Sequence, residues 1–313
     1  MATVSFILRY YNEEKYIGEC LNAIARQKGG HDIQIILIND KSTDRSDEVI
    51  TSFKTDNPQL DILKIDLESK FTFSSAINKA IPYIKGEYSV IHSVHATLAT
   101  DEWLDIILKN FVNKDVAITY GRLIVRKDAN TQSLMTSLNV SPPYKIVKSA
   151  KYFTRSGDEK NAFAYINLNT CNCLRSDLLK KYRFRELPSV EDMDLGKRLL
   201  EDGYTIVYEP EAIVWHSHND SVEKMVNRWI NAAVGMRLIF TGGVPGRLSI
   251  LKSTIPSYSI FMSKVMLKEK NIFMKMVYFG RIWQGTFMIM GKVWGGYREI
   301  KKWEGLYKNN NGC

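Results

Sequence analysis

Cysteine, long apolar runs and acidic residues in the last third are all scarce in this chain of 313 residues. The four cysteines (Cys20, Cys171, Cys173 and Cys313) are spaced neither as a disulfide framework nor as a four-ligand zinc site, which favours a reducing cytosol. No uninterrupted apolar run reaches the roughly 18 residues of a membrane span. The first residues also lack the basic start and apolar core of a signal peptide. We therefore expect a cytoplasmic protein.

The composition is that of an ordinary globular protein, with 45% apolar and 25% charged residues. Its net charge of +9 is unevenly placed. From Ser221 onward, 15 Lys and Arg face 4 Asp and Glu, a balance of +11, whereas the first 220 residues have a balance of −2. Such a basic region is typical of proteins that bind nucleic acid, an anionic membrane surface or a polyanionic substrate.

Strand-like and helix-like segments alternate through the first half of the chain. Short apolar runs such as Thr3–Leu8 and Ile33–Ile38 are followed by stretches with helical apolar spacing, such as Glu13–Arg26. This alternation predicts an α/β fold with a mostly parallel, doubly wound sheet. Further along, the segment from Asp128 to about Phe153 is expected to be irregular, and Ala162–Leu174 is predicted to be a strand.

Polar residues follow the predicted strands, at the sheet edge where ligands of doubly wound folds bind. Asp40 comes directly after the second strand, and Ser93 and His95 follow the fourth. Asp40 is typical of a carboxylate that hydrogen-bonds a ribose hydroxyl or a base N–H, and equally typical of a helix cap. His92 lies inside the fourth strand, and we interpret it as strand packing.

Two further clusters carry groups able to do chemistry. Glu191, Asp192 and Asp194 precede a predicted helix, where they either complement the helix N-terminus or supply a general base. His216 and His218 follow a predicted strand, and they are either an edge pair or a source of one metal or phosphate contact. We expect only one of these two imidazoles to face a given site.

Three asparagines, Asn167, Asn169 and Asn172, lie in the predicted strand Ala162–Leu174. A strand that contains three asparagines is stable only if each amide has hydrogen-bonding partners. Sugar hydroxyl groups are one such set of partners, and turn-forming backbone groups are another.

One long helix is predicted in the last third of the chain. Its apolar residues step by three and four along one face: Phe273, Met276, Gly280, Trp283, Phe287, Met290 and Trp294. The region from Ser221 onward also contains 13 aromatic residues. This pattern indicates core packing, a subunit contact or a membrane-surface helix. Nucleic acid is not favoured, because no recognisable DNA- or RNA-binding motif accompanies the basic residues.

Four stretches stand in order between Val4 and about Ser221: RYYNEEKYIGECLNAI, ILINDKSTD, FTFSSAINKAI and SVEDMDLGKRLLEDGYTIVYEPEAIVWHSHNDS. Together they resemble the motifs of the family 2 glycosyltransferases of GT-A fold. Within that family they resemble the rhamnosyltransferase-like branch that builds bacterial surface polysaccharides. The last stretch contains the E-D pair, the G-Y and the H-S-H of the family pattern.

The resemblance implies a Rossmann-like GT-A domain over residues 1–220 and a basic, aromatic, helical region over residues 221–313. It also implies an inverting glycosyltransferase that moves a sugar from a nucleotide-diphosphate-sugar to a hydroxyl of a lipid-linked or polymeric glycan. The helical region would contact the inner face of the cell membrane or a second copy of the chain. The alternative function is a non-catalytic module that binds a nucleotide-sugar or a glycan.

The resemblance also assigns residue roles. Asp192 matches the catalytic base, and Glu191 is its neighbour. The nucleotide would be bordered by Arg9, Tyr11, Glu13, Asp40, Asn78 and Ser93. The acceptor would contact Asn169 and Trp215.

The chain departs from the family pattern at several positions: Arg9 replaces Pro, Asn39 replaces Asp, Lys41 replaces Gly and Ile77 replaces Arg. The largest departure is Ser93-Val94-His95, which stands where the family has its D-x-D metal motif. Carboxylate oxygens are the preferred ligands of Mg²⁺ and Mn²⁺, so weak or absent metal dependence is favoured.

Three explanations of this departure stay open. His95 binds Mn²⁺ together with His216; or no metal is needed, because Arg9, Lys41 or protonated His95 neutralises the diphosphate; or catalysis is lost. The intact pair of acidic residues in the E-D motif argues against the third.

Overall fold

The computed structural model describes residues 1–68, 72–149 and 165–309. The strands in these ranges are β1 (Thr3–Tyr10), β2 (Asp32–Asn39), β3 (Asp61–Asp66), β4 (Tyr88–Ser93), β5 (Thr97–Leu98), β6 (Val116–Ile124), β7 (Ile146–Lys148), β8 (Cys171–Arg175) and β9 (Thr205–Trp215). The α-helices are α1 (Ile17–Ala25), α2 (Ser46–Asp56), α3 (Phe73–Ala80), α4 (Trp103–Leu108), α5 (Thr131–Val140), α6 (Ser176–Tyr182), α7 (Glu191–Glu201), α8 (Val222–Thr241), α9 (Arg247–Lys268), α10 (Ile272–Gly295) and α11 (Tyr297–Asn309).

One sheet holds these strands in the order β3-β2-β1-β4-β8-β6-β9-β5, and β7 pairs with β9. Strands β1 to β4 pair in parallel, as do β6 and β9, whereas β8 lies antiparallel between β4 and β6. Apolar side chains are buried on both faces of the sheet, as expected when helices cover both. The predicted α/β fold is therefore confirmed.

The long segment that we expected to be irregular contains two regular elements. Helix α5 begins after Asn130, whose side chain accepts a hydrogen bond from the Ser133 backbone N–H and so caps the helix. Strand β7 is only three residues long, too short for a periodic pattern, and it forms by pairing with β9. The expectation of irregular structure was wrong over these elements, and residues 150–153 lie outside the described residues.

The predicted strand Ala162–Leu174 is also shorter in the structure, where β8 begins at Cys171. Residues 162–164 lie outside the described part of the chain. Residues 166–170 precede the strand and hold two of the asparagines. In β4, His92 is buried and its ring meets the edges of Phe6 and Trp103, which agrees with packing.

Helices α8 to α11 follow the sheet and share one apolar cluster with it, to which Leu238, Tyr258, Ile289 and Tyr307 contribute. The predicted long helix is confirmed as α10. A domain boundary between residues 220 and 221 stays a prediction, and residues 310–313 lie outside the described chain. In the three described ranges, every helix is too short or too polar to cross a membrane.

Candidate functional site

The carboxyl ends of β1, β2 and β4 lie side by side and bring Arg9, Asp40 and Ser93 to one edge. Arg9 is in register with Ser93 on one neighbour and with Ile38 on the other. Its guanidinium forms an ion pair with Asp40, which is 8% exposed. Among the described residues, none donates a hydrogen bond to Asp40 Oδ1. This free buried acceptor is suited to a ribose hydroxyl or a base N–H.

Two of the departures from the family pattern have a structural explanation at this edge. Asn39 Nδ2 donates to Asp66 Oδ1 at 2.9 Å, and Asn39 Oδ1 accepts from the Ser42 N–H at 2.8 Å. The amide therefore holds the turn after β2. Lys41 has a φ of 63°, a left-handed conformation that favours glycine. A lysine here keeps an exposed cation beside Asp40 at the cost of backbone strain.

The other residues predicted to border the nucleotide divide into two groups. Tyr11 is exposed at the end of β1, and the Glu13 carboxylate lies 3.1 Å from His95 Nδ1. Asn78 lies on α3, where its Nδ2 donates to the Phe184 carbonyl at 2.8 Å and its Oδ1 accepts from the Phe184 N–H at 3.0 Å. Asn78 therefore braces the chain after α6, and its role beside the nucleotide stays a prediction.

Helix α7 begins at Glu191, so Glu191 and Asp192, which we expected to precede the helix, occupy its first turn. The preceding residue, Val190, has a φ of 61°. A β-branched residue rarely adopts this conformation, which costs on the order of 1–3 kcal/mol. Helix α8 packs on this turn so closely that a Cβ on Gly235 would lie 2.5 Å from the Ser189 carbonyl oxygen. The acidic pair is thus held in place by a strained turn.

Burial raises the pKa of both Glu191 and Asp192, which we call the acidic pair, and so favours their protonated forms. It raises the pKa of Glu191 to about 7, with a further rise from the charge of Asp192 and an opposing effect from Arg9. It raises the pKa of Asp192 to about 6, against hydrogen bonds from the backbone of Met193 and Asn169. Two coupled carboxylates that titrate near neutral pH are well suited to general base catalysis.

The three asparagines support this pair. Asn167 Nδ2 donates to the Asp192 carbonyl at 2.5 Å, and Asn169 Nδ2 donates to Glu191 Oε1 at 3.0 Å. Asn172 Nδ2 donates to both Asn167 Oδ1 and Asn169 Oδ1. Asn167 and Asn172 are fully buried, so the partners of their Nδ2 groups are protein atoms and not sugar hydroxyls, while Asn172 Oδ1 has no partner among the described residues. Only Asn169 lies where an acceptor could reach it.

Lys148, which the pattern of the sequence did not identify, is buried next to the same segment. Its Nζ donates to the Tyr120 hydroxyl at 2.8 Å and to the Ile166 carbonyl at 2.6 Å. Burial lowers the pKa of Lys148 to about 7, and the negative charge of Asp192 opposes that shift. The residue lies on β7, inside the segment expected to be irregular, so nothing in the sequence indicated that its amine would be buried near the acidic pair.

Three histidines meet in front of β4. A ligand nitrogen from each of His95, His216 and His218 lies within 4.8 Å of the others. The Glu13 carboxylate contacts His95 from the other side, and Ser93 Oγ lies 3.2 Å from the His95 ring. The predicted pair His95 and His216 is therefore brought together, and His218 joins it.

The expectation that only one of His216 and His218 would face the site was wrong. Residues two apart on an extended chain point to the same side, and the strand ends just before them at Trp215. The His216 N–H donates to the Ile124 carbonyl at 2.8 Å, and Ser133 Oγ donates to the His218 carbonyl. These bonds turn both imidazoles toward His95.

Burial also keeps two of the imidazoles neutral. It lowers the pKa of His216 well below its ordinary value, and the nearby His218 lowers it further. It lowers the pKa of His218 to about 3, with a further contribution from the positive charge of Arg228. Neutral imidazoles keep the lone pair that binds a metal ion. Imidazole nitrogens suit borderline cations such as Zn²⁺ and Fe²⁺, and the Glu13 carboxylate extends the set toward Mn²⁺.

Trp215, which was predicted to contact the acceptor, is exposed at the end of β9. It lines a cavity of about 420 Å³ together with Lys15, Tyr16, Glu19, Arg126, Lys127 and Asp128. The acidic pair and the histidines do not line this cavity, and contact of Trp215 with an acceptor stays a prediction.

We expect the substitution Gly196→Ala in α7 to lower the kcat of a reaction that uses Asp192 as general base about 10- to 100-fold. A Cβ at this position would lie 2.5 Å from Asn167 Nδ2 and 2.6 Å from the Tyr165 carbonyl oxygen. The clash would displace the amide that holds Asp192. Gly305→Ala in α11, where a Cβ meets nothing within 4 Å, is the control. Steady-state kinetics and thermal unfolding check the prediction, and an unchanged kcat in Gly196→Ala would contradict it.

Comparison with known proteins places this geometry in context. A family model described as glycosyl transferase family 2 matches residues 5–183. A dolichyl N-acetyl-α-D-glucosaminyl phosphate 3-β-D-2,3-diacetamido-2,3-dideoxy-β-D-glucuronosyltransferase of Methanococcus voltae is 23% identical over 78% of this chain and 75% of its own length. An O-antigen chain rhamnosyltransferase, WbaN, of Salmonella anatum is 27% identical over 64% of this chain and 62% of its own length. The chain thus spans less than two thirds of the second relative.

Solved structures show the same fold at low identity. The mannosyltransferase PcManGT of Pyrobaculum calidifontis, in complex with GDP-Man and Mn²⁺, has a TM-score of 0.60 at 14% identity, covering 98% of this chain and 86% of its own. TarS residues 1–349 of S. aureus, in complex with UDP-GlcNAc, has a TM-score of 0.56 at 15% identity, covering 94% and 92%. These similarities extend through the C-terminal helices.

Proposed function

Because the chain belongs to glycosyl transferase family 2 and is a glycosyltransferase, we propose that it moves a sugar, with inversion, from a nucleotide-diphosphate-sugar to a hydroxyl of a lipid-linked or polymeric glycan. The observation that carries the proposal is the acidic pair, because burial raises the pKa of both Glu191 and Asp192, and the positive charge of Arg9 opposes this rise at Glu191. Arg9 in turn pairs with Asp40 at the edge where a nucleotide would bind. The influence of Arg9 on both carboxyl groups, Glu191 and Asp40, supports placing the acidic pair and the nucleotide edge in one site.

In this proposal Asp192 accepts the proton of the acceptor hydroxyl. The hydroxyl oxygen forms a bond to the anomeric carbon as the bond from that carbon to the diphosphate oxygen breaks, and the diphosphate leaves with the electron pair. Attack on the face opposite the leaving group inverts the anomeric centre. Glu191, held by Asn169 at 3.0 Å, is placed to contact the incoming acceptor.

The three histidines and Glu13 are proposed to hold a divalent cation of the Mn²⁺ or Zn²⁺ type. The donor set fits such an ion better than Mg²⁺, because it supplies three imidazoles and one carboxylate. When bound, the cation would neutralise charge on the leaving diphosphate. Lys41 is exposed at the same edge and would add a further positive charge. The sequence favoured weak or absent metal dependence because Ser93-Val94-His95 lacks the carboxylates of the D-x-D motif. His218 adds a third imidazole to the predicted pair of His95 and His216, which supports a metal-binding role.

The acceptor and its place in the cell belong to the same proposal. The relatives named above act on a dolichyl phosphate-linked sugar and on an O-antigen chain. By analogy, the acceptor here is a glycan carried on a membrane lipid or a polymer. The enzyme would then work at the inner face of the cell membrane. Nucleic acid is not among the proposed partners.

The test is a screen of UDP-, dTDP- and GDP-sugars against the purified full chain, each with and without Mn²⁺. A donor that binds the native state raises Tm, and mass spectrometry then follows release of the nucleoside diphosphate and glycan extension. We expect one nucleotide class to raise Tm and to be consumed. Binding without turnover in any acceptor screen would support the non-catalytic alternative and overturn the proposal.

A further inference from the structure

The outward side of α10 carries a continuous row of large apolar side chains. Seven of them, spaced by three and four residues along the helix, are between 36% and 69% exposed: Phe273, Met276, Phe279, Trp283, Phe287, Met290 and Trp294. We refer to them as the α10 apolar face. The helix has 24 residues, which corresponds to a length of about 36 Å. A continuous apolar patch of this size marks an interaction surface.

The opposite side of α10 already has its partners within the chain. Tyr278, Gly285, Ile289 and Val293 are buried against the other helices, and the Tyr258 ring fits so closely that a Cβ on Gly285 would lie 2.2 Å from it. On a helix that turns about 100° per residue, Tyr278 and Gly285 lie about 140–180° from Trp283 and Phe287. The α10 apolar face is therefore not required for the fold.

The positive charge around the α10 apolar face favours an anionic partner. Helix α10 contains no Asp or Glu, and it carries Lys275, Arg281 and Lys292. The Arg247 guanidinium lies 5.4 Å from the Trp294 ring at the end of the row.

The acidic residues of the region offset only a small part of this positive charge. Glu223 pairs with Lys292, Glu299 with Lys302, and Glu304 with both Lys301 and Lys308, while the fourth, Glu269, accepts from Thr131. From residue 221 onward the balance is +11. A second copy that used the same face would bring two such positive regions together, which is unfavourable.

We propose that the α10 apolar face binds the surface of an anionic lipid bilayer. Trp and Phe side chains insert at the boundary between headgroups and acyl chains, while Lys and Arg beside them contact lipid phosphates. Helix α8, which joins the same cluster, also packs on the turn before Glu191 through Gly235. Docking would therefore hold the acidic pair in a fixed orientation to the membrane. This inference deepens the proposed function, because it names the surface from which a lipid-linked acceptor would be reached.

The test is flotation of the full chain with phosphatidylcholine vesicles that contain either no phosphatidylglycerol or 30% phosphatidylglycerol. We expect binding to the anionic vesicles, with at least a tenfold lower partition coefficient for the double variant Trp283→Ser/Phe287→Ser. High salt should also weaken the binding. The matched control is Val112→Ser/Tyr144→Ser, which removes two exposed apolar side chains outside the α10 apolar face and should bind as the parent does.

Equal partitioning of the parent and the Trp283/Phe287 variant would overturn the inference. So would a parent that stays unbound, or one that forms a dimer through this face in light scattering without binding vesicles. Thermal shift with nucleotide-sugars, measured without vesicles, tests donor binding independently of membrane binding, so the failure of this inference can be told apart from the failure of the proposed function. If the donor still binds when membrane binding fails, only the proposed membrane-binding role of the α10 apolar face is refuted. If the membrane binds but no donor does, only the proposed transfer from a nucleotide-sugar is refuted.

Discussion

Asp192→Asn is expected to lower kcat for sugar transfer by about 10³-fold while the chain stays folded and still binds the donor. Asparagine has nearly the same shape as aspartate, and its Oδ1 can still accept the hydrogen bond from the Met193 backbone N–H. Its Nδ2 cannot accept from the Asn169 backbone N–H, so only this longer contact of 3.4 Å is lost. Asparagine cannot accept the proton of the acceptor hydroxyl. The measurement is single-turnover transfer together with nucleotide titration by calorimetry.

The pH profile of the parent gives an independent check on the same residue. A base acts in its ionised form, and burial raises the pKa of Asp192 to about 6 and that of Glu191 to about 7. The rate should therefore rise with pH through about 6 to 7 and then level off, and the two groups should titrate as a pair. Glu191→Gln removes a neighbouring negative charge, so it should move the remaining midpoint to lower pH.

Asp192→Asn should raise the thermal stability of the chain although it lowers the rate of sugar transfer. In the folded chain Asp192 binds its proton more tightly than in the unfolded chain, because burial raises its pKa from 3.8 to about 6. Its contribution to stability is therefore fully present below pH 3.8 and is lost as pH rises through about 6. Asparagine carries no charge at any pH. Asp192→Asn should therefore raise Tm by about 2–4 °C at pH 8 and by less at pH 4.

Glu201→Gln, at the exposed end of the same helix, is the control for both measurements. It removes a carboxylate from α7 without touching the acidic pair, so transfer should stay within about twofold of the parent. Asp192→Asn with normal transfer would rule out the role of Asp192 as base. Lost transfer together with lost donor binding and a lower Tm would instead indicate a structural role.

Much of the fold could be predicted from local patterns, because apolar runs such as Ile33–Ile38 are strands in most environments once helices cover both faces. The parts that could not be predicted depend on contacts between distant segments. Strand β7 is strand only because Ile146 and Lys148 pair with β9. The start of α7 was placed too late because Val190 adopts a left-handed conformation that no local preference favours.

The residues of the candidate site also include some that the sequence predicted and others that only the folded chain reveals. Asp40 and Asp192 stand in motifs with recognisable neighbours, so the sequence predicted them, and the roles assigned to them stay predictions until tested. The structural role of the buried asparagines was not foreseen, since Asn167 and Asn172 find their partners in each other and in the acidic pair. Lys148 carries no motif at all, and only the folded chain places its amine near Asp192.

The double substitution His216→Ala/His218→Ala is expected to weaken Mn²⁺ or Zn²⁺ binding at least 100-fold, since it removes two of three imidazoles whose ligand atoms lie within 4.8 Å of one another. Titration calorimetry of the full chain measures this without reference to activity. The parent should also bind Zn²⁺ more tightly than Mg²⁺, because the donor set is mainly nitrogen.

His31→Ala is the matched control for this titration, because His31 pairs with Asp105 away from the cluster and its loss should leave metal binding unchanged. Glu13→Gln tests the carboxylate: if Glu13 is a ligand, its loss should weaken Mn²⁺ more than Zn²⁺, since Mn²⁺ favours oxygen donors. Metal affinity retained in the double variant would contradict the site. If the parent binds neither ion at millimolar concentration, the diphosphate would have to be neutralised without a metal ion. Arg9 and Lys41 would then supply the positive charge, since both lie at the same edge of the sheet as Asp40.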